Sequence, residues 1–178
     1  MARLRFLIER GIVIEVNLQQ RGRNRMRGLD REQAAAFASR LEKLGEDSVR
    51  QWGELEHTEL IPHLIGAFQY SMGQLERVET VFQGNWFTTN VLPHIVFTGF
   101  VSPPKNIKLR NQAGDELSAI LVPGDLSDLK ATMDEFITKV ESGELCAESH
   151  MIFGDIGPKG WSKFHVIHLR HHTKQFGL

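Results

Sequence analysis

Apolar residues in this chain recur at intervals of three and four, and that period commits most of its length to helix. The clearest stretch follows Asp125. Leu126, Leu129, Met133, Phe136, Ile137 and Val140 form one stripe, Asp125 suits the N-cap with Asp128 three residues on, and Gly143 suits the stop. An earlier helix runs from an Asp30 cap to about Leu44, with Ala34, Phe37, Ala38 and Leu41 on one face and Gly45 after it. A third runs from Thr58 to about Gln74, where Leu60, His63, Leu64, Phe68, Met72 and Leu75 share a side; Pro62 is tolerated there because it lies close to the start. The last runs from about Pro158 to Phe176, with proline in a first-turn position and Gly177 as the stop.

The middle is less regular. Residues 84–100 are apolar (Trp86, Phe87, Val91, Leu92, Ile95, Val96, Phe97, Phe100) and predict a helix that Pro93 kinks or begins. From Val101 to Pro123 the turn signals Pro103-Pro104, Ala113-Gly114-Asp115 and Pro123-Gly124 predict a long irregular connection. Near the start, Ile12, Ile14 and Val16 alternate as in a short strand or arm. Four core helices and one leading helix predict an all-α bundle.

Charge divides the chain. Residues 1–27 hold seven Arg and two Glu, a net of +5, so the rest carries −6 against a total of −1. That division predicts a basic N-terminal arm over 1–27 and one helical domain over 28–178. The plain reading of Arg21, Arg23, Arg25 and Arg27 is a solvated arm. Contact with an anionic partner is the sharper reading, but no aromatic residues interleave, and a net charge of −1 argues against a nucleic-acid partner. No apolar run is long enough to cross a membrane. Glu9, Arg10 and Glu15 interrupt any secretory segment, so a cytoplasmic protein is expected. The single cysteine, Cys146, rules out an internal disulfide and any multi-cysteine zinc site; no nearby helix start or basic residue lowers its pKa, so it reads as inert.

Histidine carries the chemistry. Five of the eight fall in the last 29 residues. On the final helix His168 and His172 stack one turn apart, and Trp161, Phe164 and Gln175 lie on or near that face, which should therefore point inward. Two imidazoles so spaced can reach one ion, and neutral imidazole suits zinc, nickel, copper or iron. The bland alternative is a pair of satisfied core or surface histidines. A third ligand from another helix would decide for metal, and His63, set in an apolar face, is the candidate. His165 and His171 are rivals for a place in the triad, or neighbours that assist it. His57, His94 and His150 read as surface or supporting residues.

Trp52-Gly53 before Thr58-Glu-Leu-Ile-Pro-His63, the His168-x-x-x-His172 pair with Gln175 beyond it, and Ser149-His150-Met-Ile-Phe-Gly154 ahead of Trp161 together resemble the DinB/YfiT-like superfamily of metal-binding helical bundles, in a branch mostly without assigned function. The resemblance spans about Leu29 to Gly177. It implies an up-down four-helix bundle with an additional N-terminal helix and a long irregular connection in the middle. It implies a divalent ion on His63, His168 and His172, zinc or nickel foremost, with iron or manganese as further options. It further implies a small-molecule substrate: some relatives are transferases using bacillithiol, mycothiol or glutathione, others hydrolases or isomerases. Helix-face pairing leads us to expect a homodimer. For hydrolysis a general base is needed, and Glu56, Glu59 and Asp155 are the nearby carboxylates. The alternative is a non-catalytic metal-binding or stress-response interaction module, which a fourth ligand such as His94 or Asp155 would favour.

Overall fold

A computed structural model describes residues 3–8, 12–17, 26–75, 85–99, 101–102, 105 and 119–178. The described residues contain six helices: α1 (Arg31–Leu41), α2 (His57–Ser71), α3 (Trp86–Asn90), α4 (Leu92–Val96), α5 (Leu126–Ser142) and α6 (Gly157–Gln175). They also contain a small antiparallel sheet in the order β1 (Arg3–Ile8), β2 (Ile12–Asn17), β3 (Val101–Ser102). Ile8 faces Ile12 across the hairpin, and Val16 faces Val101. The alternation at Ile12, Ile14 and Val16 is therefore a strand, and the all-α class describes the helical body rather than this hairpin. Arg21, Arg23 and Arg25 lie outside the described residues.

Helices α1 and α5 begin where their caps predict. Asp30 accepts the amide of Gln33, whose side chain returns the bond to the Asp30 amide, a reciprocal capping box. Asp125 and Asp128 do the same for α5, and Gly143 closes that helix in the left-handed conformation at φ 77°. Glu56 and Glu59 form the box for α2.

Each long helix buries the predicted stripe. Ala34, Phe37, Ala38 and Leu41 of α1, Leu60, Leu64 and Phe68 of α2, and Leu129, Met133, Phe136 and Ile137 of α5 all belong to the core. Burying each large side chain contributes about 1.5–3 kcal/mol. The α5 helix packs against α1, α2 and α6, and α6 packs against α1 and α2 as well. The leading helix α1 is thus a member of the packed body, not an addition to it.

Three expectations are corrected. The stretch 84–100 is not one helix: Asn85 caps the short α3, and a second short helix, α4, starts with Pro93 in its first turn. Proline has no amide hydrogen to continue the first ladder, so the chain restarts. Pro62 lies inside α2 rather than at its edge. And His150 is not a surface residue: it is buried, and its Nδ1 accepts the amides of Ile152 and Phe153 at 3.0 and 3.2 Å.

The end of the long connection docks on α2. The Val122 amide donates to the Pro62 carbonyl at 3.0 Å. A Cβ on Gly66 would lie 2.9 Å from the Ile120 carbonyl oxygen, so only glycine admits this approach. That contact brings the Ile120 backbone beside His63.

Candidate metal centre

His63 comes from the middle of α2, and His168 and His172 from successive turns of α6. Their ligand atoms lie within 4.8 Å of one another. His63 Nε2 is 3.1 Å from His168 Nε2, which is 2.9 Å from His172 Nε2. Three nitrogens bound to one ion at ~2.1 Å lie about 3.0–3.4 Å apart, so these two separations suit a shared ion centred on His168.

The outer ring atoms decide the tautomers. His63 Nδ1 lies 3.3 Å from the Ile120 carbonyl, which can only accept, so Nδ1 carries the hydrogen. His172 Nδ1 lies 2.8 Å from Gln175 Oε1. The Gln175 Nε2 donates to the Trp52 carbonyl at 2.7 Å, which orients the amide with its oxygen toward His172. Both Nε2 atoms therefore present lone pairs to the same point. Hydrogen bonding alone cannot satisfy them well, since His168 has one Nε2 hydrogen at most to share between two acceptors. A cation satisfies all three. The donor set thus fits a divalent metal of the imidazole-binding kind.

Electrostatics agrees. Burial pushes the His63 pKa below its usual value. Burial, then the neighbouring imidazoles His172 and His63, hold His168 well below the ordinary range. Burial, followed by His63 and His171, takes His172 to about 3. All three are neutral near pH 7, the form that ligates. Phe164 stacks on His168 with ring centres 5.3 Å apart, restricting its rotation.

The rivals fall elsewhere. His165 is fully buried; Ser71 Oγ donates to the Phe68 carbonyl, so it accepts from His165 Nε2 at 2.9 Å. The His165 ring stacks on Phe68, centres 3.8 Å apart. His171 is half-buried and stands edge-on to His172, centres 5.1 Å apart. His94 and Asp155 are exposed, and among the described residues neither joins the three histidines; Asp155 instead accepts the Gly157 amide at 3.0 Å. Cys146 is exposed. The supporting residues Ile120 and Trp52 act through backbone carbonyls, which carry no side-chain signature. Gly66, an otherwise unexplained glycine in a helix, was the available hint for Ile120.

Residues 23–177 match a family described as protein of unknown function, DUF1569. The chain belongs to the DUF1569 family. The match covers every residue of the histidine site and its supports. Neither a curated protein nor a solved structure shows significant similarity to this DUF1569 chain. Among the described residues, no helix is long and apolar enough to cross a membrane.

Proposed function

We propose that this DUF1569 protein is a metal-dependent enzyme of the DinB-like superfamily. In this reading α1, α2, α5 and α6 are its four-helix bundle, and His63, His168 and His172 hold zinc or nickel, with iron or manganese as further options. The observation that carries the reading is the convergence of the three Nε2 atoms with two tautomers set outward by Ile120 and Gln175. Three protein ligands and no fourth among the described residues suit a reactive ion with open positions, whereas structural zinc normally has four.

A divalent ion in such a site lowers the pKa of a bound thiol or water. The nearby carboxylates are engaged elsewhere. Among the described carboxylates, Glu56 pairs with Arg50, Glu59 accepts the Glu56 amide at 2.9 Å, and Asp155 accepts the Gly157 amide at 3.0 Å. Each is committed to structure, so none stands as a general base for water. A thiol ionised at the site is itself the nucleophile and needs no base for attack. A hydroxide formed on the ion is likewise its own nucleophile, so the order proposed, transfer of a low-molecular-weight thiol to a small electrophile first and hydrolysis second, rests on the family resemblance.

Elemental analysis of protein purified without a metal-affinity tag tests this, alongside His63→Ala and His168→Ala. Near-stoichiometric metal in the parent, lost in both variants, is expected. A parent that neither holds metal nor takes up zinc, nickel, manganese or iron overturns the enzyme reading and leaves a binding module. Metal loading without thiol binding or turnover overturns the transferase assignment alone.

A further inference from the structure

We propose that the site selects an anionic small molecule, a thiol or co-substrate bearing a carboxylate or similar group, and that Lys105, held over Trp52 beyond His171, supplies the selectivity. The inference rests on the metal reading above.

A line of side chains leads outward from the triad. His171 stands edge-on to His172 and, on its other side, edge-on to Trp52, with ring centres 5.9 Å apart. Lys105 lies over the Trp52 ring, its Nζ 4.1 Å from the centre, and its side chain is exposed. A cation held over an indole face keeps its charge but loses freedom, which makes it a positioned donor. Trp52 is tied to the site as well, since its carbonyl receives the Gln175 side chain that orients His172. Among the described residues, the buried Trp52 Nε1–H has no hydrogen-bond partner. The Trp52 indole is a donor only, so its burial leaves it wanting an acceptor, and the exposed Lys105 adds positive charge beside it.

The local charge has the matching sign. Three neutral imidazoles leave a bound divalent ion its full positive charge. Lys105 and Lys174 both act on His171, adding to burial and to His63 in lowering its pKa. Among the described residues, Glu59 is a carboxylate whose charge reaches His63, and it is engaged at the α2 cap. Clefts of one sign concentrate ligands of the other. The long connection thus contributes at both ends, with Lys105 over Trp52 and the Ile120 carbonyl beside His63.

The test uses cobalt-loaded protein, whose visible spectrum reports ligand exchange at the metal. Mercaptoacetate, 2-mercaptoethanol and cysteamine share a thiol on a short chain but carry a carboxylate, a hydroxyl and an ammonium. Each is titrated into the parent, Lys105→Ala and Lys105→Arg. Comparing ratios between variants cancels the intrinsic differences among the thiols. The preference for mercaptoacetate over 2-mercaptoethanol should fall about two- to fivefold in Lys105→Ala, as for an exposed charge pair, and survive in Lys105→Arg. Cysteamine should gain in Lys105→Ala, and added salt should shrink the effect. Unchanged ratios in Lys105→Ala, with cobalt and thiols bound, overturn this inference and leave the metal centre intact. If cobalt binds and no thiol alters the spectrum, the inference falls together with the thiol reading. If cobalt does not bind, the metal reading falls and takes the inference with it.

Discussion

The smallest scale at which this protein can be understood is one amide. Gln175 is 3% exposed and is spent entirely on local geometry: its oxygen accepts His172 Nδ1–H, its nitrogen donates to Trp52, and its own carbonyl receives the Gln51 amide at 2.7 Å. Partners behind a metal ligand typically alter affinity by about 10–100-fold when removed. Gln175→Leu should therefore weaken zinc binding by about that factor, measured by chelator competition, while a saturated sample still holds one ion per site. Unchanged affinity would show that α6 packing alone orients His172. His165 illustrates the opposite case. Its place three residues before His168 made it look like a ligand, yet its Nε2 is committed to Ser71 and its ring to Phe68. Periodicity reported the shared face but not the depth along it.

Elements tie the site to the rest of the fold. In α2, Gly66 lets the 119–122 segment approach closely enough for the Ile120 carbonyl to reach His63. Two effects compete in Gly66→Ala. Helix propensity gains up to about 1 kcal/mol, while the new Cβ meets backbone that must shift. We expect the shift to decide the outcome at the site: helical content by circular dichroism stays level, and metal affinity drops. Affinity equal to the parent's would mean that Ile120 does not hold His63. Helix α5 offers a test without chemistry. Asp125 accepts the Ser127 and Asp128 amides at 2.7 and 3.1 Å, so Asp125→Ala should cost about 1 kcal/mol in urea unfolding. Metal content should not change, because α5 contributes no ligand.

For the whole molecule, burying neutral histidines makes stability depend on pH. His150 and His172 are held at about 3 by burial, against an ordinary value of 6.5. Between those values the unfolded chain binds protons that the folded chain refuses, so stability falls as pH drops below about 6.5. The unfolding temperature of metal-free protein should decline steadily from about pH 7 to about pH 4; a flat profile would contradict the burial of these rings. Metal should raise that temperature at neutral pH, since a ligand at a hundredfold its dissociation constant adds about 2.7 kcal/mol to the folded state. His63→Ala should lose this added protection.

The sequence by itself determined the long helices, the caps of α1 and α5 and the buried stripes, because capping and the helical period are local properties. It also placed His168 and His172 on one face and marked His63 as the odd polar residue in an apolar stripe. The strand signal at Ile12, Ile14 and Val16 was local in the same way. Tertiary structure decided the rest. That α1 packs into the body and that His150 is buried depend on contacts between segments distant in sequence, whereas the break at Pro93 is local. The roles of Ile120 and Trp52 could not be read from residue type, since every residue carries a carbonyl and only folding chooses which one meets an imidazole.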